Sequence, residues 1–310
     1  MLDHELAALV IFLVSFSGAL FNILALFTVL KTKALHNAFG ALCFSHSIAN
    51  FGTLAVFLGW VLPATLQFEN TTSLFGKILG QIQILFWNAC CYSHLVISFN
   101  RFVSISMPTK APTFFNFKNT TIMIAVVWCM SIAHIIPYFW YAACFMAYDP
   151  ASWTWNFADT PCGYVITTYT DYYTSVGIFV IMSSLDLLTF TLLVVYNKHV
   201  SNSKSSNTAK ADRRMELRFF VQSVIQGALF FYEVFMFNYI TTLNSNQWFV
   251  FFTSTFAWMI CHCLDGLVVI IFHFRKRYLC INAKSAENSR KVTKTSPIST
   301  VINVKKMVKD

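Results

Sequence analysis

Long apolar stretches alternate with short polar segments along the whole chain. Seven of them approach or exceed the roughly 20 residues that a helix needs to cross about 30 Å of hydrocarbon. They run about Leu6–Leu30, Ala38–Leu66, Lys77–Ser104, Thr120–Phe145, Tyr172–Tyr196, Leu217–Thr241 and Trp248–His273. None shows the alternation, roughly ten residues long, of a membrane β-strand. The pattern predicts an all-α, seven-transmembrane-helix bundle over residues 1–280. Its last piece, 274–280, reads as a short amphipathic helix on the inner leaflet, and 281–310 as a disordered cytoplasmic tail rich in Ser, Thr and Lys.

Charge sets the orientation. With the N-terminus outside, only Lys77 of the 22 Lys and Arg residues falls on the outer side. Cytoplasmic loops carry such an excess of basic residues. The outer segments hold Asp3, Glu5, Glu69, Asp149, Asp159 and Asp171. The net charge of +9 therefore expresses topology, and it suits an inner face that meets anionic lipid and a cytosolic partner. It is not a nucleic-acid footprint, because no basic soluble domain carries it. The acidic N-terminus also lacks the basic start and cleavage site of a secretory signal.

Composition agrees. The chain is 56% hydrophobic and 11% charged, with 33 Phe among 310 residues, against roughly 25% charged residues in a soluble domain. Nine cysteines are present, mostly inside apolar runs, where a thiol packs as a small hydrophobe. No Cys or His pair stands at ligand spacing along the chain, so no metal site, cofactor or catalytic residue is expected.

Polar side chains within the spans are few, and each is informative. Asn22, Asn50, Asp186, His262 and Asp265 form a candidate polar core, and Glu233 lies in the outer half of the sixth span. Interhelical hydrogen bonding explains the amides and imidazoles as well as any function does. An unpaired buried carboxylate is harder to dismiss. On the third span Gln83, Trp87, Cys90, His94 and Arg101 share one helical face. Two readings stand for it: ordinary core packing, or a bundle interior in which Gln83, Trp87 and Glu233 line an outer ligand pocket. Arg101 closes the third span, where it is either a positive-inside anchor or a group reserved for a partner.

Seven spans with Asn100-Arg101-Phe102 at the inner end of the third resemble a G-protein-coupled receptor. Gly18-Ala19-Leu20-Phe21-Asn22 and Trp128 add to the likeness. Nearly the whole chain resembles the nematode serpentine chemoreceptors of class x. This narrower likeness rests on Asn37 to Cys43, on Ser93-His94-Leu95, on Glu216 to Gln222 and on His262-Cys263-Leu264-Asp265-Gly266. The resemblance implies a chemosensory receptor in the plasma membrane of sensory neurons. It would bind a small extracellular ligand and activate a heterotrimeric G protein. A ligand-gated channel, a transporter and a membrane enzyme are the alternatives. The orientation disfavours the first, and the lack of internal repeats or a nucleophile–base pair disfavours the others.

The departures from the wider superfamily set further expectations. Asn100 replaces the acid before Arg101, so Glu216 is the candidate partner, either latching Arg101 or merely capping a helix N-terminus. Asn50 and Asp265 exchange the usual acid and amide between the second and seventh spans. The third-helix cysteine is absent, with Gly76 and Lys77 near its place. Cys144 and Cys162, the cysteines nearest the outer face, either pair with each other or stay free. Of two glycosylation sequons, Asn70 is outside and Asn119 inside, so Asn70 is the expected glycan site.

Overall fold

The computed structural model describes residues 2–67, 73–201 and 207–273. The chain divides into two units, Met1–Phe272 and His273–Asp310, and the helices belong to the first. Asn70, the expected amphipathic helix at 274–280 and the tail 281–310 lie outside the described residues.

Seven helices carry the fold. They are α1 (Leu2–Lys31), α2 (Ala38–Gln67), α3 (Leu74–Ser106), α4 (Phe117–His134), α5 (Pro161–Val195), α6 (Arg214–Leu243, the apolar part of a helix that starts at Asn207) and α7 (Gln247–His273). Six are long and apolar enough to cross a membrane by length and composition. The other, α4, has 18 residues and is diluted by Lys118, Asn119 and His134. Large apolar side chains such as Leu13, Phe16, Phe27, Leu187 and Phe190 point outward and stay exposed, as lipid-facing positions should. The third helix is central: it packs against α2, α4, α5 and α6.

Local chemistry explains the helix ends. Asn37 caps α2 by accepting from the Gly40 amide, Ser73 caps α3 at Gly76, and Asn116 caps α4 at Asn119. The fourth span was expected to reach Phe145. It stops at His134 because Pro137 lacks the N–H and the ring clearance a helix needs. The fifth begins at Pro161, well before Tyr172, with Thr160 as N-cap and the proline at the first position. Three helices widen to five-residue-spaced hydrogen bonding: α2 at Phe57–Val61 just before Pro63, α5 at Ile166–Tyr172, and α6 at Met236–Ile240. Such bulges cluster at functional sites.

The α4–α5 connection folds as an antiparallel hairpin, the exception to an otherwise helical architecture. Strands β1 (Met146–Asp149) and β2 (Thr154–Phe157) pair Met146 with Phe157 and Asp149 with Thr154. A disulfide joins Cys144 to Cys162 across the foot of the hairpin, with Cα atoms 5.2 Å apart. The hairpin plugs the outer end of the bundle. Tyr148 shares a 2.7 Å hydrogen bond with Thr65, and burial raises its phenol pKa. Trp153 sits at φ 60°, a left-handed conformation that costs about 1–2 kcal/mol. Its carbonyl accepts from Thr255 at 2.6 Å, its indole donates to His4 at 2.9 Å, and its ring packs on Trp248 and Phe251. These contacts hold the turn in place. Close approach is needed at Gly80, where a Cβ would strike the Met146 carbonyl of β1.

Candidate functional site

Beneath the hairpin lies a narrow cavity of about 30 Å³. Its lining includes Trp87, Met146, Phe157, Asp171, Glu233 and Trp258. At that volume the walls nearly meet, so any ligand larger than a water or two must push them apart. Trp87 donates from Nε1 to Asp171 Oδ1 at 3.1 Å, and its ring meets Trp258 edge-on at 5.8 Å. The sequence pattern set Asp171 in an outer loop. The earlier start of α5 and its wide turn carry that residue into the wall of the cavity instead. Gln83, expected in the lining, is fully buried away from it, and neither amide atom has a hydrogen-bond partner.

Below the cavity the polar side chains form one network. Asn50 Oδ1 accepts from Cys90 Sγ at 3.2 Å and lies 2.6 Å from His262 Nδ1. Asn50 Nδ2 donates to Asp265 Oδ2 at 3.4 Å, so the exchanged amide and acid do meet. His46 Nε2 lies 3.0 Å and His94 Nε2 3.6 Å from the same Asp265 oxygen. Asn22 donates to the carbonyls of Gly18 and His262 at 2.9 and 3.0 Å. Glu233 Oε1 is 3.9 Å from His262 Nε2, which links the network to the cavity above. Asp186 is half-buried at the crevice between α5 and α6 beside Met182 and Phe220, hydrogen-bonds Ser98 of α3 and feels the charge of His94. The sequence offered no metal set because these ligand types never fall close together along the chain. Three helices bring His46, His94 and Asp265 to one point, with donor atoms within 4.8 Å of one another.

At the inner end Arg101 is 3% exposed. Its Nη1 donates to Glu216 Oε2 at 2.8 Å, and its Nη2 donates to the Asn100 side-chain oxygen. The guanidinium lies 4.2 Å from the Phe39 ring centroid and 5.2 Å from that of Phe219. Such stacking suits the planar group. Phe102 is half-buried. Glu216 is not a cap: the helix starts at Asn207, more than two turns earlier, and the dipole effect fades within the first turn.

This geometry can be set beside known proteins. The family model of the Serpentine type 7TM GPCR chemoreceptor Srx matches residues 12–273. The chain belongs to this family. It is therefore a G-protein-coupled receptor of the chemoreceptor type, a receptor rather than an enzyme, and it spans the membrane several times. Serpentine receptor class X 45 of Caenorhabditis elegans is 24% identical to this Srx chain, over 94% of the chain and 85% of that protein. Melatonin receptor type 1C of Gallus gallus is 27% identical over 66% of the chain and 58% of that protein. The crystal structure of squid rhodopsin superposes with a TM-score of 0.70 at 15% identity, covering 87% of this chain and 76% of that one. That likeness is one of fold.

In this Srx receptor the hairpin is held to α3 by a lysine. Lys77 Nζ donates to the Tyr141 carbonyl at 2.8 Å and lies 3.9 Å from the Phe145 ring centroid. It stands near the place of the wider superfamily's third-helix cysteine.

Proposed function

We propose that this receptor detects a small molecule held between Trp87, Asp171, Glu233 and Trp258. It signals from the plasma membrane of sensory neurons to a heterotrimeric G protein through Arg101. The observation that carries the reading is the pair of carboxylates in a largely apolar cavity. Two acids in a low-dielectric space repel each other when both are ionised. A ligand with a basic nitrogen relieves that repulsion, and the indoles of Trp87 and Trp258 favour a cation or an aromatic body beside it. The two acids favour an amine over a wholly apolar ligand. At the other end, Arg101 is engaged by Glu216 and Asn100, which supports a resting state in which it is withheld from the G protein.

The test is a screen of small amines and matched neutral analogues, read by G-protein activation in cells that express the receptor at the surface. An amine agonist is expected, with potency lost in Glu233→Gln and Asp171→Asn. Agonists that are all neutral and indifferent to both substitutions would overturn the ligand assignment.

A further inference from the structure

The cluster in the middle of the bundle has the donor set and spacing of a metal site. His46 on α2 and His94 on α3 both direct Nε2 at a single oxygen of Asp265 on α7. All three residues are at most 5% exposed. Asn50 is a third group on that same oxygen, while Asp265 Oδ1 has no hydrogen-bond partner among the described residues. A carboxylate satisfied only by hydrogen bonds is better served by donors spread over both oxygens. His46 hydrogen-bonds that oxygen, and the same three donor atoms are close enough to close on a cation in its place.

The spacing agrees. Tetrahedral zinc holds nitrogen and oxygen ligands at about 2.0–2.2 Å, which puts neighbouring ligand atoms roughly 3.3 Å apart. The two nitrogen–oxygen distances, 3.0 and 3.6 Å, bracket that edge, and all three donor atoms lie within 4.8 Å of one another. Two imidazoles and a carboxylate suit zinc better than sodium, magnesium or calcium, which prefer oxygen ligands. Asn50 also supports the set from outside. Its amide nitrogen fixes Asp265 and its oxygen engages His262, as outer partners orient metal ligands. Glu233, 3.9 Å from His262, joins this network to the ligand cavity.

We propose that His46, His94 and Asp265 bind one zinc ion, with a water completing the tetrahedron. The ion would stitch α2, α3 and α7 together below the ligand cavity. Zinc would then be a regulator of the receptor, favouring the helix arrangement in which the three ligands converge.

The experiment uses the full-length receptor, purified in detergent without chelator. Metal analysis is expected to find about one zinc per receptor, and chelator should lower the melting temperature until zinc is restored. Cobalt in place of zinc should give the intense visible bands of a tetrahedral site with no thiolate charge-transfer band. His46→Asn and His94→Asn should each lose the bound metal, and Asn50→Ala should weaken it by about 10–100-fold. If those variants do not fold, His94→Cys tests the same position, because it keeps a ligand and should add the thiolate band. Absence of zinc and cobalt binding by the folded wild-type receptor would overturn the proposal. So would undiminished binding in the His46/His94 double variant, or a thiolate band already present in the wild type.

Discussion

Arg101 donates to Glu216 at 2.8 Å across 115 residues of sequence, and thereby ties the inner end of α3 to α6. Glu216 keeps about a third of its side-chain surface in solvent. A pair so placed is worth only about 1 kcal/mol, and the faces of Phe39 and Phe219 add about 0.5–1 kcal/mol to the hold on the arginine. One kcal/mol changes a two-state population roughly fivefold. Glu216→Gln should therefore raise ligand-independent G-protein activation several-fold at matched surface expression. Arg101→Ala should abolish ligand-driven activation and leave ligand binding intact. Unchanged basal activity in the first variant, or full signalling in the second, would remove the pair from the switch.

What the sequence made legible was whatever rests on period and charge. The seven-helix architecture follows from apolar run length, and the family likeness from short motifs kept in order. What stayed hidden rests on contacts between segments. Asp171 reads as a loop acid because Pro161 and Cys162 give little apolar signal, yet Thr160-Pro161 is a start signal that places the residue inside a helix. His46, His94 and Asp265 stand on three different helices, and no spacing along the chain announces their meeting. Gln83 shares a helical face with Trp87, but a helix in a bundle buries that face against several neighbours, and only part of it meets the cavity. Glu216 looked like a helix start because apolar character begins at Leu217, whereas the helix itself continues back through polar residues to Asn207. Apolar onset marks the membrane boundary, not the helix terminus.

Asp171 and Glu233 should differ in what their loss does. Asp171 is held by the Trp87 indole at 3.1 Å, so Asp171→Asn keeps an acceptor there and removes only charge. Glu233 lies next to His262 and touches the buried network. For an amine agonist, Asp171→Asn should lower potency with little change in the melting temperature of the purified receptor. Glu233→Gln should lower potency and also shift the melting temperature, because the network loses an ionisable member. Each removed charge–charge contact with a ligand cation corresponds to roughly a tenfold loss or more, since hydrogen bonds to charged groups contribute about 1.5–3 kcal/mol. Potency unchanged from the unsubstituted receptor in both variants would place the agonist elsewhere.

Close packing of α1 on α7 gives a stability prediction free of any ligand. A Cβ at Gly266 would lie 2.8 Å from Asn22 Cγ, and one at Gly18 would lie 2.9 Å from Cys263 Cβ. Overpacking of this kind costs about 1–3 kcal/mol. Gly266→Ala should lower the melting temperature and reduce surface expression, while Gly177→Ala, with nothing near its Cβ, should do neither. A tolerated Gly266→Ala would mean that α1 and α7 part more easily than their contacts indicate.

Glycosylation checks the orientation on which inner and outer rest. Asn119 lies in the first turn of α4, and its side chain donates to the Thr113 and Phe114 carbonyls. Asn70 is expected to carry the glycan. Asn70→Gln should remove the mobility shift caused by glycosidase, and Asn119→Gln should leave it intact. A glycan on Asn119 would invert the membrane orientation.

The last prediction separates the two ties on the outer hairpin. The disulfide closes a loop of 18 residues within the α4–α5 connection; it fixes the hairpin's own ends but does not attach them to α3. Closing a loop of about this size stabilises by roughly 3 kcal/mol in the chain-entropy view. Lys77 supplies one attachment to α3 through the Tyr141 carbonyl and the Phe145 ring, beside the Tyr141 hydroxyl that donates to Gln81 Oε1 at 2.8 Å. A charge-assisted hydrogen bond and a close cation–π contact are each worth about 1–2 kcal/mol when shielded from water. Cys144→Ser with Cys162→Ser should therefore lower the melting temperature under oxidising conditions, and reductant should bring the unsubstituted receptor down to match it. Lys77→Met keeps the apolar stem and removes the charge, so it should loosen the hairpin on α3 while the disulfide stays closed. Met146 and Phe157 of that hairpin line the ligand cavity. Lys77→Met should then speed ligand dissociation several-fold with the disulfide intact by non-reducing mass spectrometry. If dissociation quickens only when the cysteines are removed, the disulfide and not the lysine holds the lid.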